Sequence, residues 1–266
     1  MNAAPRSTPS PTPGTTLTFT TERQLDDGVL ERRFTLGDAP GIPGILWTPA
    51  TATPSAPAPL ILLGSPGGLG LDRMYPRLVG RARHAAVDGI ATVALEGPGS
   101  GDRPPLPGAD QARADLRSAL SAGEPVPDEV VDRLVLPLVD QAVPEWQAAL
   151  DALLALPEIG GPVGVSGGVI AVGVRLAVVE PRLVAAGLFA GSYVPRATVE
   201  EARRVTIPVH VLLQWDDEGN DRQAALDLFD AFGSAEKTLQ ANLGGHTGVP
   251  AFAGDDAARF FARHLR

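Results

Sequence analysis

The residues able to do chemistry cluster at a few glycine-rich breaks in an otherwise apolar chain. Gly164-Val165-Ser166-Gly167-Gly168 sets one hydroxyl between glycines where a short apolar run meets a helix-like one. A strained strand-to-helix turn needs neighbours without Cβ, and it pushes the serine out at the sheet edge. The pentapeptide is equally compatible with a plain glycine-rich connection, so the other groups must decide. A serine hydroxyl attacks a carbonyl only when a base takes its proton, which calls for a histidine. His84 lies in a helical stretch and His210 in a strand, where a hydrogen-bonded structural role suffices, and His264 sits in the last helical turn. His246 differs: it stands in Gly244-Gly245-His246-Thr247-Gly248, a loop in which packing asks for no imidazole. The imidazole needs a carboxylate to orient it and to stabilise its charged form. Gln214-Trp215-Asp216-Asp217-Glu218 offers Asp216 and Asp217 at the end of a strand. An oxyanion needs two backbone donors. One is the amide of Gly167, and the other comes from Gly64-Ser65-Pro66-Gly67-Gly68, where Pro66 has no N–H and leaves Gly67 first and Gly68 second.

The elements that must position these groups follow from periodicity. Residues 1–16, rich in Pro, Ser and Thr, have the composition of a disordered tail. Leu17–Thr21 and Leu30–Leu36 read as strands around an Asp27-Gly28 turn, Ile45-Leu46-Trp47 extends them, and 49–59 is a proline-rich linker. Strands then alternate with helices: Leu60–Leu63, a helix with Pro76 in its first turn, Ile90–Leu95, a helix through Ala112 and Leu120, a helix that Pro144 starts, and the strand before Ser166. A helix to Glu180, strands at Leu183–Phe189 and Ile207–Leu213, a helix through Leu228, a strand at Lys237–Gln240 and a closing helix with Phe260, Phe261 and Leu265 complete the chain. Such alternation predicts one α/β domain over residues 17–266, a mostly parallel sheet with helices on both faces. Its ligands belong beyond the carboxyl ends of the strands, and Gly67, Ser166, Asp217 and His246 all fall just past such ends. Residues 104–143, with Leu134, Leu136, Leu138 and Val139, form either a small cap over the turn or a packing helix.

Composition removes several functions. The net charge of -9 opposes nucleic acid and anionic membrane as partners. There is no cysteine, hence no disulfide, thiolate nucleophile or Cys-based metal site. Lys237 is the only lysine, which rules out a Walker-type phosphate loop. No signal segment or membrane span is read from the sequence, and the expected location is cytoplasmic. Gly97-Pro98-Gly99-Ser100-Gly101 follows a strand as a dinucleotide loop would, but Asp102 and Pro104 stand where a third glycine is needed. Asp102 and Arg103 are expected to pair with each other.

Taken in chain order, Leu-Leu-Gly-Ser-Pro-Gly-Gly, Glu-Gly-Pro-Gly-Ser-Gly-Asp-Arg, Gly-Val-Ser-Gly-Gly, Leu-Leu-Gln-Trp-Asp-Asp-Glu and Gly-Gly-His resemble the α/β-hydrolase superfamily, within it the dienelactone-hydrolase-like bacterial esterases. The order Ser, acid, His is that of this superfamily. The resemblance implies Ser166 as nucleophile, His246 as base, Asp216 or Asp217 as the acid, no metal and no cofactor. A Gly-x-x-Asp turn in such enzymes would put Gln214 in the glycine's place and so favours Asp217. Departures are Ser65-Pro66 where relatives carry His-Gly, Gly167 where a bulky residue is common, and no Val-Pro after the acid. The expected activity is hydrolysis of a small carboxylic ester or lactone through an acyl-enzyme. Thioester or carbon–carbon bond hydrolysis and a non-hydrolytic cyclase or acyl-transfer role remain open on the same fold.

Overall fold

The structure, a computed structural model, describes residues 16–266; the tail expected over 1–16 lies, apart from Thr16, outside them. Among the described residues nine strands form one sheet in the order β1-β2-β3-β5-β4-β6-β7-β8-β9. β1 (Leu17–Gln24), β2 (Leu30–Leu36) and β3 (Ile42–Thr48) make an antiparallel edge. β4 (Ala58–Gly64), β5 (Ala91–Leu95), β6 (Ile159–Gly167), β7 (Leu183–Phe189), β8 (Val209–Gln214) and β9 (Lys237–Asn242) run parallel to one another.

Side-chain alternation along the buried strands splits the core in two. Leu60, Leu62, Val163 and Val165 face α3 (Asp128–Leu153), α4 (Ile170–Val179) and α6 (Arg222–Ala231). Ile61 and Leu63 face α1 (Leu71–Val87) and α7 (Ala251–Leu265), with Leu78, Phe260 and Phe261. Sheet order reverses about β4, so the crevice between the carboxyl ends of β4 and β6 is the switch point where ligands bind in such sheets.

Prolines mark helix boundaries less well than expected. Pro76 lies inside α1, and Pro137 and Pro144 lie inside a continuous α3, so Pro144 starts no helix. α3 runs through because Val135, Val139, Ala142, Trp146, Ala149 and Leu153 all bury one stripe against the sheet, outweighing the backbone hydrogen bond each proline removes. α2 (Ala109–Ala122) packs on α3. A short α5 (Arg196–Ala202) was not expected from the sequence. No helix among the described residues is long and apolar enough to cross a membrane.

Candidate active site

Two glycine-rich segments meet at the switch point. A Cβ on Gly64 would sit 2.5 Å from the Gly167 carbonyl oxygen, and one on Gly168 would sit 2.7 Å from Gly64 Cα. Only glycine allows this approach, and Gly167 (φ 70) and Gly168 (φ 80) also turn the chain left-handed out of β6 towards α4. The loop after β4 is fixed from the side by the loop after β5. Ser100 Oγ accepts the Gly68 N–H at 3.0 Å, and the buried Glu96 carboxylate accepts the Leu71 N–H at the start of α1 at 3.1 and 3.2 Å. Burial raises the Glu96 pKa, partly offset by that amide. Gly67 N–H, unlike that of Gly68, donates to no protein group among the described residues. Arg103 is tied to Glu145 on α3 (2.9 Å) and to the Glu96 carbonyl (2.7 Å), not to Asp102 as the sequence suggested.

At the ends of β8 and β9 the acid loop and the histidine loop are sewn together. Trp215 N donates to Asn242 O at 2.7 Å, Asp216 N to Gly244 O at 3.2 Å, and Gln214 Nε2 to Gly245 O at 3.2 Å. This brings Asp217 Oδ2 to 2.7 Å from His246 Nδ1. The Asp217 side chain is only 2% exposed and also accepts the Gly219 N–H at 3.1 Å, while the imidazole is 48% exposed. Phe189 packs edge-on to the imidazole, with centroids 5.3 Å apart. Asp216 is exposed and accepts only the Gly244 N–H, at 3.2 Å. A carboxylate on Nδ1 fixes the tautomer that leaves Nε2 free to take a proton.

Ser166 is placed differently from the turn position its motif predicts. It belongs to β6 without a positive φ, and the left-handed residues are the two glycines after it. With Val163 and Val165 facing α3 and α4, alternation sends Ser166 to the opposite face. There its Oγ accepts a hydrogen bond from Arg81 Nη2 at 2.7 Å, and its carbonyl accepts a second from the same nitrogen at 2.9 Å. No hydrogen bond joins Ser166 to His246. Arg81 was missed in the sequence, although a signal exists: it shares the apolar stripe of α1 with Leu78, Ala82 and Ala85. Ser192 was missed too. It follows Gly191, where a Cβ would lie 2.9 Å from His246 Cε1, and its buried Oγ has no partner among the described residues.

The other histidines have ordinary surroundings. His210 is buried in β8, with Nδ1 2.8 Å from Thr238 Oγ1 and, among the described residues, no hydrogen-bond partner for Nε2. His84, expected to be hydrogen-bonded inside its helix, is instead 47% exposed and 3.7 Å from Asp255. His264 lies 3.2 Å from Glu236. Among the described residues no group of three or more His, Asp or Glu is arranged to hold a metal ion.

An esterase from an Arctic intertidal metagenomic library, described as cold-adapted, superposes with a TM-score of 0.72 at 28% identity, over 94% of this chain and 100% of its own. The chain has an α/β-hydrolase fold. The acetyl xylan esterase of Paenibacillus sp. R4 shares this fold at 16% identity (TM-score 0.64, 94% and 88% covered). So does a 2,6-dihydroxy-pseudo-oxynicotine hydrolase at 13% identity (TM-score 0.63, 91% and 69% covered). No family model and no curated relative matches the chain. Within the α/β-hydrolase fold, β4 and β6 flank the switch-point crevice, and β8 and β9 end in the loops that carry Asp217 and His246.

Proposed function

We propose that the protein is a metal-independent serine esterase that cleaves a small carboxylic ester or lactone through an acyl-enzyme. The observation that carries this reading is the 2.7 Å contact of a buried Asp217 carboxylate with the half-exposed His246 imidazole at the strand-end rim. The likeness to esterases supports the substrate class.

In the reaction His246 Nε2 takes the proton of Ser166 as its Oγ bonds to the ester carbonyl carbon. Asp217 stabilises the imidazolium, and the amides of Gly67 and Gly167 receive the oxyanion. The tetrahedral intermediate collapses as the imidazolium protonates the leaving alcohol, and water then repeats the sequence on the acyl-enzyme. For this Ser166 Oγ must exchange Arg81 Nη2 for His246 Nε2, and the backbone that can carry that change is Gly167-Gly168, both already left-handed. A cavity of about 40 Å³ lies between the Gly67 loop, Val169 and Leu138 of α3. It suits an acyl group of a few atoms, since one water takes roughly 10–15 Å³ on the same measure. In this reading α3 is both a packing helix and the roof of the acyl site, so both alternatives raised for 104–143 meet in it.

A second reading keeps the chemistry and moves the nucleophile to Ser192, on the strength of its unpartnered Oγ beside the residue that packs on His246. One experiment separates the two. Label the protein with a fluorophosphonate, map the modified serine by mass spectrometry, and compare p-nitrophenyl acetate hydrolysis by Ser166→Ala and Ser192→Ala. The primary reading expects modification at Ser166 and a loss of several orders of magnitude in kcat/KM for Ser166→Ala alone. Full activity in Ser166→Ala refutes it.

A further inference from the structure

Between α1 and α7 the sheet face carries a second cavity of about 270 Å³, partly open to solvent and walled largely by Ile61, Leu63, Ile90, Ala257, Ala258 and Phe261. Arg81 reaches into it from α1. Its Nη2 donates to Ser166, whereas Nε and Nη1 donate to no protein group and no Asp or Glu pairs with the guanidinium among the described residues. Burial pulls Arg81 down to about 10, with no counter-charge to oppose it, although the residue is half-buried and lines the cavity. The other ionisable groups at the cavity are already engaged: Asp88 by Arg266, and His84 at 3.7 Å from Asp255. The net charge facing the space is therefore that of Arg81.

A half-buried cation whose remaining donors open only onto this space and its solvent is a ready partner for an anion that enters it. The free Nε–H and Nη1–H of the guanidinium can each donate to a carboxylate oxygen, and Ser166 Oγ, which accepts from Arg81, still has its own proton to give. The remaining walls are apolar, and the volume falls just under the roughly 300–1,000 Å³ of drug-sized sites. We propose that this cavity is a binding site for a small monocarboxylate with an apolar tail. Arg81 and Ser166 hold the carboxylate, and Ile61, Leu63 and Phe261 line the tail. The site stands on its own walls and charge and does not require the esterase reading.

The test uses the full chain and no turnover: isothermal titration and thermal melting with butyrate, butyramide and inorganic phosphate at constant ionic strength. Butyrate is expected to bind and to raise Tm with concentration, because it binds the folded chain alone. Butyramide, which has the same shape without the charge, is expected to bind at least about tenfold more weakly, and phosphate no better than the salt control. Arg81→Gln should weaken butyrate by at least about tenfold. Ala258→Phe, which fills the space and leaves the guanidinium, should do the same and guards against a folding defect at position 81. Absence of butyrate binding, equal binding of butyramide or phosphate, or undiminished affinity in both variants overturns the proposal.

Discussion

The Asp217–His246 contact carries the proposed mechanism, and its removal has a size that can be worked out beforehand. Asp217→Asn keeps the shape of the side chain and deletes its charge. Two unit charges about 4 Å apart interact by about 4 kcal/mol at an effective dielectric near 20 and by about 1 kcal/mol in bulk water. The carboxylate is 2% exposed and the imidazole 48%, so the pair lies between those limits, and screening on the imidazole side brings the value to about 2–3 kcal/mol. That energy applies only when the imidazole is charged, that is, in the transition state, and alone it lowers kcat about 30- to 200-fold. Asn can also donate to Nδ1 through its amide, which stabilises the tautomer with a proton already on Nε2, and this extends the loss to between about 10² and 10⁴. Asp216→Asn, which loses only an exposed 3.2 Å contact with the Gly244 amide, should stay within about threefold of wild type. The assay is steady-state hydrolysis of p-nitrophenyl acetate by both variants, with thermal melts to verify folding. If Asp217→Asn retains activity within threefold, or if Asp216→Asn is the damaging change, the assignment of the acid is wrong.

Two further outcomes test the frame around the site. Gly168→Ala puts a Cβ 2.7 Å from Gly64 Cα at a φ of 80, so it should cost about 2–5 kcal/mol and lower Tm by about 5–15 °C; Gly254→Ala, on α7 with open space around it, should raise Tm slightly, and a calorimetric scan in which the two behave alike would remove the close-approach argument. The His210 pKa is lowered chiefly by burial, with Asp256 and Gln240 opposing, so the folded chain holds this imidazole neutral where the unfolded chain protonates it. Stability should therefore fall as pH drops below about 6.5, and melting curves from pH 7.5 to 5 should be flatter for His210→Asn; parallel curves would show that this histidine does not carry the effect.

The parallel core was legible because its strands are buried on both faces and read as unbroken apolar runs, Leu60–Leu63 being the clearest. The meeting of the Asp217 and His246 loops was legible for a different reason: a polar cluster just after such a run has no packing role to explain it. What escaped depends on contacts distant in sequence. Arg103 finds Glu145, 42 residues on, in preference to its neighbour Asp102, and nothing local announces that choice. Pro144 signals a helix start, yet the stripe from Val135 to Leu153 buries enough apolar surface to carry α3 through it and through Pro137. α5 is a seven-residue helix, too short for its periodicity to stand out.

The serine turn shows how finely such a motif must be read. Gly-x-Ser-x-Gly states which residues are near the bend but not which of them takes the left-handed conformation, and in a strand a shift of one residue changes the face on which a side chain emerges. Here Gly167 and Gly168 take the bend, which leaves Ser166 on the α1 side, where Arg81 meets it. The esterase reading and the carboxylate site thus compete for one hydroxyl: bonded to Arg81, Ser166 completes an anion pocket, and turned to His246 it completes a triad. The two states differ in which positive group faces the serine, a permanently charged guanidinium or an imidazole that is charged only after taking the proton. Only the second can accept a proton from the hydroxyl, so a carboxylate seated on Arg81 and a productive ester at the rim would exclude each other.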